Sequence, residues 1–305
     1  MHIKKYIWGI CYGLILTVFT GYVLLDTFVM KQVYSIVPSE ADTNLQKEDA
    51  DRNTSNDKSD VSAITDRSYK DNNISITITE YRKYNSAIYV ADIQLSSAEY
   101  LKTAFAENAY GKNVTEKTSD IANRNSAILA INGDYYGTRE GGYVLRNGII
   151  YRNTPSENQE DLVIYADGSF SIITEDEISA DELSANGAQQ IFSFGPALVE
   201  DNSISVTKNE EVGKAMASNP RTAIGIIDKL HYVFVVSDGR TRESEGLSLH
   251  ELAEFMQSIG VTTAYNLDGG GSSTMCFNGE IINKPTTSGR HIRERSVSDI
   301  VYIGK

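Results

Sequence analysis

Residues 261–276, VTTAYNLDGGGSSTMC, form the stretch that says most about the fold. An apolar run at 261–266 predicts a short strand that ends at Leu267 and Asp268. The residues that follow are Gly269, Gly270, Gly271, Ser272 and Ser273. Because glycine loses much conformational freedom on ordering, three in succession indicate close approach of the backbone to another group, such as an anion held by N–H groups. A tight turn between two strands, with Asp268 as its cap, accounts for the same residues.

Two further stretches place polar residues at strand ends. Residues 127–131, AILAI, predict a buried strand that delivers Asn132, Gly133 and Asp134 to its carboxyl end. Loops held by rigid strands often carry binding groups, although an Asn-Gly hairpin turn is the alternative. Arg221, followed by Thr222, begins another apolar strand. An arginine there requires an acidic partner or a bound anion, and the sequence leaves both open.

The clearest helix precedes the first stretch. Ser248 and Glu251 form a capping box, an apolar stripe continues to residue 259, and Gly260 ends the helix. Residues 231–237 predict the strand before it, which ends at Asp238. A strand, a helix and a strand in this order bring Asp238 and Asp268 to the same edge of one sheet. Farther upstream, alternating isoleucines at 74–78 and an apolar run at 87–95 predict a hairpin.

The amino terminus predicts a membrane anchor. Residues 7–25 carry no charge and are long enough to span a bilayer. His2, Lys4 and Lys5 precede this run and acidic residues follow it. The amino terminus is therefore expected in the cytoplasm and the remainder outside the cell. A cleaved signal peptide has a similar pattern, but no A-x-A-like site follows the run, which favours an uncleaved single-pass anchor in the cell membrane.

The remaining sequence predicts three regions: residues 1–37 as cytoplasmic tip and anchor, 38–72 as a flexible acidic stalk, and 73–305 as one domain. The stalk is polar and has no apolar period. Strand-rich runs with few helices predict an α+β fold of mixed β-sheets flanked by a few helices.

The formal net charge of −13, with no basic stripe, excludes nucleic acid as the expected partner. Cys276 is the sole cysteine outside the anchor, so no internal disulfide is expected, which suits a bacterial surface protein.

Five motifs together resemble the phosphodiester glycosidase family. They are AINGDYY (130–136), SFGPALVE (193–200), PRTAIGI (220–226), NLDGGGSSTM (266–275) and RSVSDIVYI (295–303). The resemblance covers residue 74 to the carboxyl terminus. It implies an exported hydrolase that acts on a sugar-1-phosphodiester of the N-acetylglucosamine-1-phosphodiester type, in a surface or secreted glycopolymer such as an exopolysaccharide of the cell envelope.

The same resemblance assigns roles to residues. Asp268 is the first candidate for the catalytic carboxylate, Asp134 is the second, and Arg221 is the candidate that stabilises phosphate charge. The residues implied in substrate binding are Asn132, Gly133, Thr222, Gly269, Gly270, Gly271, Ser272 and Ser273. A leaving phosphate monoester has a second pKa of about 6 and scarcely needs protonation, so one carboxylate with an anion cradle suffices. No cofactor or metal site is expected, and a divalent cation stays open.

Three other classes stay open at this point. A metal-dependent phosphodiesterase would use Asp134, Asp238 and Asp268 as oxygen ligands. A non-catalytic module would bind a sugar phosphate without turnover. A serine hydrolase with Ser272 as nucleophile would need a histidine base from among His231, His250 and His291.

Overall fold

The structure is a computed structural model that describes residues 3–37, 62–207 and 218–305. Its helices in these segments are α1 (Ile3–Phe28), α2 (Thr118–Arg124), α3 (Ala180–Ala185) and α4 (Leu249–Ser258). Its strands are β1 (Gln32–Ile36), β2 (Ala63–Ile64), β3 (Ser68–Lys70), β4 (Ile74–Lys83), β5 (Ser86–Leu95), β6 (Leu101–Phe105), β7 (Ala109–Lys112), β8 (Leu129–Asn132), β9 (Val144–Arg146), β10 (Ile149–Arg152), β11 (Glu160–Tyr165), β12 (Phe170–Thr174), β13 (Ala188–Phe192), β14 (Ala197–Glu200), β15 (Ser203–Ile204), β16 (Arg221–Asp228), β17 (His231–Ser237), β18 (Thr263–Leu267), β19 (Met275–Phe277), β20 (Glu280–Ile281) and β21 (Asp299–Ile303).

A nine-stranded sheet forms the centre of the domain. Its strand order is β15-β14-β18-β16-β17-β5-β4-β3-β2, and the predicted hairpin is present as β4 and β5. Both faces of its central strands, β16 and β17, are buried. In β17, Phe234 and Val236 point into one core whereas Val233 and Val235 point into another. This alternation follows from the two-residue period of a strand.

Two five-stranded sheets cover one face of the central sheet. Their orders are β20-β19-β8-β21-β6 and β10-β9-β13-β11-β12. Ile131 of β8 and Leu162 of β11 share a core with Ile224 and Phe234 of the central sheet. Full burial of one such side chain stabilises the fold by about 1.5–3 kcal/mol. This shared core holds β8 against the strands of the central sheet.

Helices cover the outer faces. Helix α4 lays Leu252 and Met256 on the second face of the central sheet, and its predicted capping box of Ser248 and Glu251 is confirmed. Helix α2 packs on one five-stranded sheet through Ile121, and α3 packs on the other through Leu183. The predicted α+β fold of sheets flanked by a few helices is therefore confirmed, and the paired strands run antiparallel.

The amino-terminal helix stands apart from this core. Residues 6–28 of α1 are long and apolar enough to cross a membrane, and they are not buried against the domain. Strand β1 follows the helix almost at once and pairs antiparallel with β7 of the domain. Sequence analysis did not predict this pairing.

The stalk prediction falls mainly on residues 38–61, which lie outside the described residues. Strands β2 and β3 occupy part of the remaining stretch, at the edge of the central sheet. The domain boundary at residue 73 stays a prediction.

Candidate active site

The central sheet brings the ends of three strands together. Strand β16 lies between β17 and β18 and runs antiparallel to both. Its first residue, Arg221, pairs with Ser237 at the end of β17, and Thr222 pairs with Leu267 at the end of β18. Asp238, Arg221 and Asp268 therefore meet at one edge of the sheet, although they are far apart in sequence.

A cleft of about 410 Å³ opens at this edge. Its lining residues are Arg139, Phe194, Gly195, Asn219, Arg221, Arg240, Leu249, Asn266, Asp268, Gly269, Gly270 and Arg295. Four of them are arginines and one is a carboxylate. The excess of positive charge makes the cleft suited to an anionic ligand, although the whole chain is acidic.

Asp268 is the carboxylate of the cleft, and it is buried. Arg295 places Nη2 at 2.9 Å and 3.2 Å from the two carboxylate oxygens, and its Nε donates to Ser272 Oγ at 2.9 Å. Burial raises the pKa of Asp268, and the charge of Arg295 with the Ser272 hydroxyl opposes that rise. Asp268 therefore combines a buried carboxylate with a position on the cleft wall.

The other arginines are held by neighbouring backbone and amide groups. Arg221 donates from Nε to the Leu247 carbonyl at 2.8 Å, and Arg139 donates from Nη1 to the Ser193 carbonyl at 2.7 Å. Arg240 donates from Nη2 to Asn219 Oδ1 at 2.9 Å. Burial and the nearby Arg295 charge lower the pKa of Arg240. Arginines fixed in this way are preorganised for bidentate contacts with phosphate.

Asn266 offers a polar group to a ligand. Its Nδ2 donates to the Gly195 carbonyl at 2.8 Å, whereas its Oδ1 is buried and has no hydrogen-bond partner among the described residues. An acceptor left unpaired at the cleft wall suits a sugar hydroxyl. Phe194 provides an apolar wall beside it, with the Arg139 guanidinium 5.2 Å from the ring centroid.

The three glycines have a structural reason that the sequence did not reveal. A side chain at Gly269 would lie 2.8 Å from the Pro220 carbonyl oxygen, and one at Gly271 would collide with Thr287. Gly270 has a φ of +64° and donates its N–H to the Pro220 carbonyl at 2.8 Å. The loop is therefore closely packed against other parts of the chain as well as lining the cleft.

The other predicted binding residues lie behind this loop. Asn132 donates to the Asp268 carbonyl at 2.6 Å and accepts from the Thr222 hydroxyl at 2.8 Å. The Gly133 carbonyl accepts from the Asp268 N–H at 3.1 Å. Asn132, Thr222 and Ser273 are fully buried and are absent from the cleft lining. Their contacts support the backbone that carries Asp268, and their predicted role in direct substrate binding stays a prediction.

Asp134 lies in a different environment from Asp268. It is fully buried, accepts from the N–H groups of Tyr136 and Ser193, and forms an ion pair with Arg146 at 2.9 Å. Arg146 also contacts Asp299 at 2.8 Å. Asp134 does not line the cleft. These contacts indicate a structural ion cluster, and the catalytic role expected for Asp134 stays a prediction.

A metal-dependent phosphodiesterase and a serine hydrolase would each need a different set of side chains in the cleft. No set of three or more His, Cys, Asp or Glu side chains in the described segments is arranged to hold a metal ion, so Asp134, Asp238 and Asp268 do not form one ligand set. Asp238 instead accepts from Asn283 and the Lys284 N–H. Ser272 has Arg295 as its partner. The three candidate histidines, His231, His250 and His291, are absent from the cleft lining.

Sequence reasoning missed several residues of the cleft. Arg139, Arg240, Arg295, Asn219 and Asn266 line it, and none was assigned a role. Arg295 begins one of the motifs that carry the family resemblance, and Arg240 closes the Asp-Gly-Arg turn after β17. No periodic pattern in the sequence distinguishes an arginine at a turn from any other solvated residue. These residues could therefore be assigned to the cleft only from the tertiary structure.

Comparisons with known proteins identify the family. The profile of the phosphodiester glycosidase family matches residues 125–304, which is more than half of the chain. The chain therefore belongs to the phosphodiester glycosidase family. The match contains Asp268, Arg221 and Arg295 and ends one residue before the carboxyl terminus.

Individual relatives agree with this assignment. A prophage-derived uncharacterized protein of Bacillus subtilis is 29% identical over 201 residues, which are 64% of this chain and 30% of that protein. The N-acetylglucosamine-1-phosphodiester alpha-N-acetylglucosaminidase of Bos taurus is 28% identical over 184 residues, which are 55% of this chain and 34% of that enzyme. The chain thus spans about a third of the length of these two relatives.

A solved structure shares the fold. The zebrafish N-acetylglucosamine-1-phosphodiester alpha-N-acetylglucosaminidase catalytic domain, auto-inhibited by its pro-peptide, superposes with a TM-score of 0.60 at 21% identity. The superposition covers 76% of this chain and 83% of that chain.

Proposed function

We propose that this chain is a glycosidase that hydrolyses the anomeric C–O bond of a sugar-1-phosphodiester in a surface or secreted glycopolymer. The observation that carries the proposal is the composition of the cleft, in which a single buried carboxylate faces four arginines. The family and the names of the vertebrate relatives support a sugar linked like N-acetylglucosamine-1-phosphodiester. The apolar helix α1 supports anchoring in the cell membrane with the domain outside.

The charges of the cleft fit the chemistry of such a bond. A phosphodiester carries one negative charge, and cleavage at the anomeric carbon adds charge to the departing phosphate. Arg221, Arg240 and Arg139 surround the space in which that charge would grow. Preorganised donors aimed at developing charge provide a large part of many rate accelerations. A leaving phosphate monoester, with a second pKa of about 6, needs little help from a general acid.

Asp268 is the group that acts at the anomeric carbon. As an ionised carboxylate it either attacks that carbon or takes a proton from the attacking water. Arg295 holds the side chain in place through its contact with both carboxylate oxygens. The Asn266 oxygen and the Phe194 ring are placed to orient the sugar, since one offers an acceptor and the other an apolar surface.

The experiment that tests this proposal locates the bond that breaks. The full chain, purified in maltoside detergent, is incubated with the methyl phosphodiester of α-N-acetylglucosamine-1-phosphate in H₂¹⁸O, with and without a chelator. The proposal expects the label in the free sugar and no effect of the chelator. Label in the phosphate, or activity that is lost with chelator, would instead support a metal-dependent phosphodiesterase. Binding without turnover would support a non-catalytic module.

A further inference from the structure

A second, smaller cleft lies beside the candidate active site. It has a volume of about 180 Å³, and Arg139 lines both clefts. Its other lining residues are Tyr34, Tyr110, Gly111, Lys112, Tyr136, Gly137, Glu140 and Arg152. Tyr34 belongs to β1, which follows the apolar helix, and Lys112 belongs to its partner strand β7. The second cleft is therefore built partly from the segment next to the membrane anchor.

Positive charge predominates in this cleft. Lys112, Arg139 and Arg152 line it together with one acidic residue, Glu140. Glu140 contacts Lys112 at 3.4 Å, but its side chain is 89% exposed, so water screens its charge. Arg152 is held in place because its Nε and Nη1 donate to the carbonyls of Gly142 and Arg139, at 2.6 Å and 2.7 Å.

Two buried donors in the cleft have no acceptor. Tyr136 is 1% exposed, and its hydroxyl has no hydrogen-bond acceptor among the described residues. The Nη2 atom of Arg152 is likewise buried without a hydrogen-bond partner there. Buried donors are normally satisfied by protein, ordered water or a ligand. A cationic cleft with two unused donors is suited to an oxygen-rich anion.

We propose that this cleft is a second anion subsite, which binds a further phosphate group of the substrate beyond the one that is cleaved. The inference rests on the proposed function and extends it to polymers whose units repeat a phosphodiester. Arg139 supports this assignment, because it lines both clefts and so lies between a phosphate bound in one and a phosphate bound in the other. Asn113 also donates to the Thr27 and Met30 carbonyls, both at 3.1 Å, which seats the end of α1 next to this cleft.

The test compares two substrates that differ by one phosphate. The full chain in maltoside detergent, which contains no phosphate, is assayed with the methyl phosphodiester of α-N-acetylglucosamine-1-phosphate and with an analogue extended by a second phosphodiester. We expect the KM of the extended substrate to be about tenfold lower, as a hydrogen bond to a charged group contributes roughly that factor. Tyr136→Phe removes only the hydroxyl that lacks an acceptor, and it should remove most of this preference while leaving the short substrate unaffected.

Two other variants complete the design. Lys112→Ala should weaken the preference as well, whereas Lys70→Ala, an exposed residue of β3 outside both clefts, should leave it intact. Turnover with equal KM for both substrates would overturn the subsite and leave the proposed function standing. Absence of turnover on both would overturn the two together.

A lipid headgroup is the competing source of phosphate. The protein is transferred from detergent into phosphatidylglycerol nanodiscs, and the KM of both substrates is measured again. If the KM fell equally for both substrates, and Tyr136→Phe abolished that fall, the cleft would bind the phosphate of a lipid headgroup. That result would overturn the assignment to the substrate.

Discussion

Asp268 and Asp134 follow buried strands in the same local pattern, Asn-Leu-Asp and Asn-Gly-Asp, yet they lie in opposite environments. Asp268 lines an open cleft, and its partner Arg295 has a side chain that is 39% exposed. Asp134 is enclosed, and its partner Arg146 is 2% exposed. One pair can exchange contacts with a ligand, whereas the other is fixed within the core.

The difference shows that the exposure of the arginine partner indicates whether a ligand can reach a carboxylate at the end of a strand. Arg146 lies between Asp134 and Asp299, where its charge is needed to keep two carboxylates in the interior. Burial and the charge of Asp134 raise the pKa of Asp299, which indicates how little solvation this region has. The strand end at Asp268 combines a buried carboxylate with access from the cleft, which fits the catalytic role proposed for it.

Asp268→Asn should produce the largest effect. Loss of the reacting carboxylate is expected to lower kcat by about 10³-fold or more, since a positioned base or nucleophile contributes on that order. The thermal unfolding midpoint should stay close to that of the wild type. The matched variant is Asp134→Asn, which should retain turnover per folded molecule. If the two variants lost activity equally, the distinction between the two carboxylates would be wrong.

Arg146→Gln should mainly affect stability. Removal of the arginine leaves Asp134 and Asp299 buried without their counter-charge, which is expected to cost about 3–5 kcal/mol in the free energy of unfolding. Urea denaturation followed by circular dichroism measures this change. Arg295→Gln is the control, because its partly exposed side chain should cost far less. A change of under 1 kcal/mol for Arg146→Gln would show that the cluster does not stabilise the fold.

Arg295→Gln should instead change the pH dependence of activity. Asp268 acts in its ionised form, so activity falls as the pH drops through its pKa. Burial raises that pKa and Arg295 opposes the rise. Without Arg295, the acidic limb of kcat/KM should move to higher pH, because the charge that opposes the rise in the pKa of Asp268 is gone. A limb that did not move would mean that another group controls it.

Asp161→Asn should have the smallest effect and alter the pH dependence of stability. Burial and the neighbouring Glu175 raise the pKa of Asp161 well above its usual range. The folded state therefore holds more protons than the unfolded state above pH 3.8, so stability falls as the pH rises through this window. The variant removes that fall and should be more stable than the wild type at pH 7. Unfolding midpoints at pH 4 and pH 7 test it, and a wild-type-like decline in the variant would contradict it.

The strands and the best helix of the domain were predictable from local pattern. Alternation in β4, the capping box of α4 and the apolar run of β18 each follow from short stretches of sequence. The shared edge at Asp238 and Asp268 also followed from chain order. The pairing of β1 with β7 could not be predicted, because it joins residues that lie on either side of the expected stalk.

Some residues of the cleft could be identified only from the tertiary structure. Arg295 contacts Asp268, and Arg240 lines the same cleft. Both lie in loops with no regular period, so their contribution depends on contacts between distant segments. The burial of Asp134 depends in the same way on Arg146 and Ser193, which belong to another sheet region. Local pattern therefore identified two aspartates at strand ends, and packing shows how different their surroundings are.

Substrate binding to Asp268→Asn tests the central claim most directly. Titration calorimetry of this variant with the methyl phosphodiester of α-N-acetylglucosamine-1-phosphate measures affinity in the absence of turnover. Because the substitution removes a negative charge from a cleft that binds an anion, the substrate should bind as tightly as it binds to the wild type, or more tightly. Loss of binding with the fold retained would show that Asp268 holds the substrate and does not carry out the reaction.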